Sequence, residues 1–316
     1  MNLSVEYKDT SGTISNLNYT LSRLAFVKHM AMAGQGYSIR PAKLLRTIGM
    51  FLHYSFYLQR TAFNNDRFSE PPPLLSDPTE KAQFSNIAGK AIADYLSKKI
   101  DKSFFTINYE AVMRANNLKL KEKRPDLMAY KKNAMFAIEA KGRVQSSPGD
   151  MRKHKRQANS GKIKVNYSIA SVSYNLFTSV TCKYHDPINP DVPFDSESLR
   201  NASKKYYTAL IEFLDNKYFT YREAEYGNEK FYEISLSYGK LHDLFLKDFP
   251  HWPFVWMELM DVYNPRLILP LSIHEYSQNG LTKETEAFVF DAEVSKVDES
   301  NVYIDTDRVG IRIDRF

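Results

Sequence analysis

The chain has 316 residues, 43% of them hydrophobic and 25% charged, with 12 Gly and 14 Pro. That composition excludes a disordered, collagenous or disulfide-stapled chain and allows one elaborated domain or two smaller ones. The formal net charge is +6, and the single cysteine, Cys182, excludes an internal disulfide and points to a reducing compartment.

The charge is unevenly spread. From Arg114 to Lys164 there are 15 Lys and Arg against four acidic residues, whereas the other 265 residues carry 28 bases and 33 acids. A positive field confined to one sixth of the chain favours a polyanionic partner, although a lysine-rich face can also be merely solvated. The apolar stretch Ile48 to Leu58 is broken by His53 and Ser55 and falls short of the roughly 20 residues of a membrane span. The first fifteen residues include Glu6 and Asp9 and lack an apolar signal core. A soluble, cytoplasmic protein with no membrane partner is expected.

In chain order, residues 1 to about 68 read as mainly helical after a polar start, with one pattern over Leu21 to His29 and another over Lys43 to Gln59. Ser69 to Pro78 contains Pro71-Pro-Pro73 and reads as a linker. Thr79 to Ile100 follows as an amphipathic helix: Phe84, Ile87, Ala88, Ala91, Ile92, Tyr95 and Leu96 share one stripe, and Asp77 or Thr79 suits the N-cap. Phe104 to Val112 alternates like a strand. Pro125 to Tyr130 and Ala134 to Ala140 are short apolar runs separated by a polar turn, as in an antiparallel hairpin. Asp150 to Asn159 is a short basic helix, and Tyr167 to Leu176 and Ser179 to Tyr184 are β-rich. After the proline-broken loop Asp186 to Pro193, Ser196 to Leu214 reads as a helix, and strands are expected over Phe231 to Ser237 and within Glu286 to Ile313. The aromatics Trp252, Phe254 and Trp256 read as packing residues. Three regions result: 1–74, helical with a linker; 75–190, a core of order α-β-β-β-α-β-β; and 191–316, an α/β accessory region.

The core carries a chemical constellation. Arg124-Pro-Asp126 is followed by Glu139-Ala-Lys141, and Glu139 and Lys141, two apart on a strand, leave the same face. Asp126, at the start of the neighbouring hairpin strand, can point there too. Two adjacent carboxylates raise each other's pKa unless a cation sits between them. Mg²⁺ suits such a pair because it prefers carboxylate oxygens and accepts a phosphate oxygen beside them, and Mn²⁺ is expected to substitute. An ammonium alongside can neutralise charge developing on a phosphate. A Glu-x-Lys pair on a strand is also a common surface ion pair, but Glu139 ends the apolar run Ala134 to Ile138, the pattern of a buried central strand.

Pro125-Asp126 and Glu139-Ala-Lys141, within that element order, resemble the PD-(D/E)xK nuclease superfamily, whose core occurs in many restriction endonucleases. The resemblance covers roughly Pro78 to Asp186. It implies a restriction-endonuclease-like mixed sheet flanked by helices, with Asp126 and Glu139 as metal ligands and Lys141 catalytic. Members often add a glutamate from the first helix, directly after a glycine. Here Gly89 precedes Lys90, which departs from that pattern, and Glu80 is the substitute candidate because it projects near the apolar stripe. By the same resemblance Gln157 is a candidate on the helix after the lysine, and Glu110, on the expected first strand, is a further acid. Arg143, Arg152, Lys153, Lys155 and Arg156 are the expected nucleic-acid backbone contacts, a role that supplies affinity without sequence choice.

The implied function is Mg²⁺-dependent hydrolysis of phosphodiester bonds by a DNA endonuclease in restriction, anti-phage defence or mobile-element biology, with a homodimer or a multi-subunit system as the setting. The rival is a non-cutting nucleic-acid-binding or assembly subunit that retains the fold.

Overall fold

A computed structural model describes residues 1–37, 53–72, 77–121, 123–185, 195–215, 217–237, 262–281 and 301–314. They divide into two compact units, the first within residues 1–199 and the second mainly from Arg200 onward.

The first unit is a seven-stranded mixed sheet. Its strands are β1 (Asn2–Lys8), β2 (Ile14–Thr20), β3 (Phe105–Asn108), β4 (Leu127–Lys131), β5 (Ala134–Gly142), β6 (Tyr167–Tyr174) and β7 (Thr181–His185), in the order β2-β1-β7-β6-β5-β4-β3. The pairs β1/β7 and β5/β6 are parallel and the others antiparallel. The accompanying helices are α1 (Arg23–Met32), α2 (Arg60–Asn64), α3 (Pro78–Leu96), α4 (Tyr109–Ala115) and α5 (Met151–Ala158). Helix α3 packs on α1, β5 and β6, and α5, the crossover between parallel β5 and β6, packs on both of those strands.

Helix α3 starts where its sequence dictates: Asp77 caps it by accepting from Thr79 N, Pro78 occupies the first turn and Glu80 complements the dipole. Its apolar stripe is buried. Phe84 stacks on Tyr57 at a centroid distance of 4.1 Å and meets Phe68 edge-on at 5.1 Å, so the segment before the helix is held by aromatic packing. The α3–α1 contact also encloses a polar link. Asp94 accepts from Thr106 at 2.8 Å and lies 2.7 Å from His29 Nδ1. Burial works against ionisation of Asp94, but Lys98, His29 and Lys28 outweigh it and hold its carboxyl down at about 2.

The expected hairpin is present: Leu127 opposes Ile138 and Tyr130 opposes Met135. The basic helix and strands β6 and β7 also lie where expected. Two expectations are corrected. The polar start of the chain is a β-hairpin, which the helical reading of residues 1 to 68 does not include, and the helix expected over Leu21 to His29 follows it as α1. Leu3 and Val5 are fully buried, and the turn is tied by Thr13 N donating to Asp9 Oδ1 at 2.8 Å. This hairpin extends the sheet because β1 pairs in parallel with β7. The strand expected over Phe104 to Val112 stops at Asn108, whose side chain accepts from Ala111 N and caps α4.

The second unit contains α6 (Ser196–Ile211), β8 (Phe219–Tyr226), β9 (Glu229–Leu236), β10 (Arg266–Pro270), α7 (Ile273–Asn279), β11 (Val302–Ile304) and β12 (Gly310–Arg312). Its sheet has the order β11-β12-β10-β9-β8, every pair antiparallel. Phe231, Ile268, Val302 and Ile304 pack together in its core. Most of the expected helix from Lys43, the centre of the proline linker, the loop from Asp186, the Trp252 to Trp256 aromatics and the strand expected from Glu286 to 300 lie outside the described residues.

The architecture is therefore mixed α/β, with a central mixed sheet flanked by helices. Among the described residues, no helix is long and apolar enough to cross a membrane.

Candidate active site

Asp126 stands between Pro125 and the first residue of β4. Proline has no N–H to give a ladder, so the strand begins after it. The Asp126 amide donates to Ile138 O at 3.0 Å, and its carboxylate Oδ2 accepts from Ala140 N at 3.1 Å. These two bonds fix the aspartate against the middle of β5. Glu139 and Lys141 leave β5 on one face, and Lys141 Nζ lies 2.5 Å from Glu139 Oε1 and 3.4 Å from Asp126 Oδ2. One ammonium thus touches both carboxylates.

The two acids differ in environment. Asp126 is partly exposed, whereas the Glu139 side chain is 0% exposed and its Oε2 has no hydrogen-bond partner among the described residues. Burial, aggravated by the charge of Asp126, pushes the Glu139 carboxyl up to about 8 despite the pull of Lys141. Burial acts on Lys141 in the opposite sense, but Asp126 and Glu139 more than compensate and raise its pKa, so the lysine stays charged.

A cleft of about 320 Å³ opens beside this centre, lined by Lys90, Asn108, Glu110, Lys123, Arg124, Pro125, Asp126 and Gln157. Its walls are organised by polar bonds. Glu110 lies on α4, not on the first strand as expected, and accepts from Arg114 at 2.6 Å and Arg124 at 2.5 Å. Those hydrogen bonds, the one from Arg114 foremost, depress its pKa. Gln157, on α5, donates to Arg124 O at 3.3 Å and so braces the segment that leads into Asp126.

Glu80 is placed elsewhere. It accepts from Tyr57 OH at 3.1 Å in the first turn of α3, ten residues or about 15 Å of helix rise from Lys90. Lys90 is the α3 residue that reaches the centre, with Nζ 3.3 Å from Asp126 Oδ1. The helical pattern directs Lys90 away from the apolar stripe and gives no hint of this contact; the only signal was its position after Gly89.

Of the expected backbone contacts, Arg152, Lys153 and Arg156 are exposed on α5 and Lys155 is half-buried. Arg143 is tied down: its guanidinium donates to His154 Nε2 at 3.2 Å and packs over Gly149. Burial and then the Arg143 charge lower the pKa of His154.

Among the described residues, no group of three or more His, Cys, Asp and Glu side chains is arranged to hold a metal ion. Two carboxylates do converge, and Mg²⁺ is commonly held by one or two carboxylates, with waters and substrate phosphate completing its shell. The unpartnered Oε2 of Glu139 and the raised pKa of that group are what a site short of positive charge produces, so the donor set fits a hard divalent ion. Comparisons with protein-family models, curated proteins and solved structures find no match.

Proposed function

We propose that the chain is a divalent-metal-dependent nuclease that hydrolyses phosphodiester bonds, a DNA endonuclease of PD-(D/E)xK type serving restriction, anti-phage defence or mobile-element biology. The observation that carries the reading is the contact of Lys141 Nζ with both Asp126 and Glu139 at the edge of a basic cleft. Asp126 and Glu139 would hold Mg²⁺, which when bound would polarise a phosphoryl oxygen and acidify a water. Lys141, kept protonated by its two carboxylate neighbours, neutralises charge developing on the scissile phosphate. Burial of Glu139 keeps bulk water from screening its own contact with Lys141. Arg152, Lys153 and Arg156, with Lys155, bind the strand backbone, while Gln157 and the Glu110–Arg124 pair keep the cleft wall in place.

The test is incubation of supercoiled plasmid with wild type, Glu139→Ala and Lys141→Ala in Mg²⁺, Mn²⁺ or EDTA. Metal-dependent nicking or linearisation by wild type, reduced by about 100-fold or more in each variant, is expected. Equal products from all three proteins would remove the assignment. The non-cutting reading is supported by Lys90, which sits on Asp126 Oδ1 where a metal would compete with it. It predicts salt-sensitive DNA binding without products in any metal.

A further inference from the structure

Asp126 is contacted from two sides. Lys141 Nζ lies 3.4 Å from Oδ2 and Lys90 Nζ 3.3 Å from Oδ1, so each carboxylate oxygen faces a different ammonium. The two lysines come from different elements. Lys141 is on β5, whereas Lys90 follows Gly89, the α3 residue packed directly against the backbone of Lys141 and Gly142. That close approach sets the turn of α3 carrying Lys90 beside the end of β5.

The Lys90 side chain is one-third exposed and lines the cleft with Lys123 and Arg124. A partly exposed lysine–carboxylate pair is weak and exchanges readily. Arg124 is already engaged by Glu110, but Lys90 can leave Asp126 and remain within the same cleft, because its ammonium is a compact charge on a flexible stem.

Resting on the nuclease reading, we propose that Lys90 is a second active-site lysine. It holds Asp126 Oδ1 in the free protein, yields that oxygen to the divalent cation, and then binds a phosphate oxygen of the DNA strand in the cleft. Lys90 thus serves first as a stand-in for the metal and then as a substrate contact.

Two measurements on wild type, Lys90→Gln and Lys90→Arg test this: Mn²⁺ titration of the DNA-free protein, and duplex DNA binding in Ca²⁺ over a salt series. With the competing ammonium gone, Lys90→Gln is expected to bind Mn²⁺ about tenfold more tightly. It should also bind duplex several-fold more weakly, with a salt slope smaller by about 1. Lys90→Arg should keep the DNA affinity. A purely structural role for Lys90 would weaken both ligands together, so tighter Mn²⁺ binding separates the two. The proposal is overturned if Lys90→Gln binds Mn²⁺ no more tightly than wild type or keeps the wild-type salt slope. If wild type cuts plasmid and Lys90→Gln fails these criteria, Lys90 alone loses its role; if wild type neither binds Mn²⁺ nor cuts, the nuclease reading falls and Lys90's role falls with it.

Discussion

Glu139 and Lys141 sit side by side yet carry opposite burdens. The glutamate is buried beside a second carboxylate, and its pKa is raised from the usual carboxylate range to about 8. A group with a raised pKa keeps its proton until the pH nears that value, and a cation binding there must displace the proton. Mn²⁺ affinity should therefore fall by about tenfold for each pH unit below about 8, and flatten above it. Titrations at pH 6, 7 and 8 would show this slope in wild type, and Glu139→Gln should lose both the slope and most of the affinity. A pH-independent affinity in wild type would mean that Glu139 is not a ligand. The Glu-x-Lys spacing was readable because strand periodicity is two and fixes a common face. Lys90 was not readable in the same way. A helical pattern reports only which face is apolar, and a long lysine can return along that face to a neighbouring element.

At the level of elements, the α3–β5 contact governs the geometry of the centre. A Cβ on Gly142 would lie 1.8 Å from Ser85 O, and one on Gly89 would lie 2.3 Å from Gly142 N. Both partners are backbone atoms, so neither clash can be relieved by a side-chain rotation. Gly89→Ala and Gly142→Ala should each cost about 1–3 kcal/mol or more, read as a lower urea midpoint. On the nuclease reading each should also reduce cleavage in native conditions, because displaced α3 carries Lys90 away from Asp126. Unchanged stability in both variants would show that the contact is looser than these distances imply. Where local pattern and fold part, the causes are definite. Phe104 to Val112 alternates in hydrophobicity, but Asn108 caps a helix, and that local hydrogen bond turns Glu110 from a strand residue into a helix residue on the cleft wall. Asn2 to Thr20 is polar on one side, as an edge hairpin is, and only the buried Leu3 and Val5 reveal its place in the sheet.

For the molecule as a whole, charge is unevenly divided between its parts. The basic window from Arg114 to Lys164 contains α5 and the Lys123 to Asp126 side of the cleft, whereas residues 281–316 hold nine acids and five bases. In the second unit, arginines are engaged in an ion-pair cluster: Arg222, Arg266 and Arg312 converge on the buried Glu233, whose carboxyl is held at about 2 by hydrogen bonds from Tyr226, Arg222 and Arg266 against the opposing effect of burial. On the nuclease reading, DNA affinity should therefore depend on α5. A combined Arg152→Ala, Lys153→Ala and Arg156→Ala variant should lose affinity at physiological salt, with a log–log salt slope smaller by about 0.9 for every phosphate contact removed. Gel-shift titrations between 50 and 200 mM salt, roughly the range over which such contacts dominate, would measure it. An unchanged slope would move the DNA path away from α5.

The sequence alone determined the hairpin bearing Asp126, Glu139 and Lys141, the amphipathic α3, the basic α5 and the concentration of positive charge, because periodicity, capping and charge density are local properties. Tertiary structure decided what those parts meet. It placed the N-terminal hairpin beside β7 across more than 170 residues of chain, set Glu80 against Tyr57, and brought Lys90 to Asp126. Such contacts depend on which glycine lets two backbones touch and which strand finds an open edge. Both are settled only when the whole first unit packs.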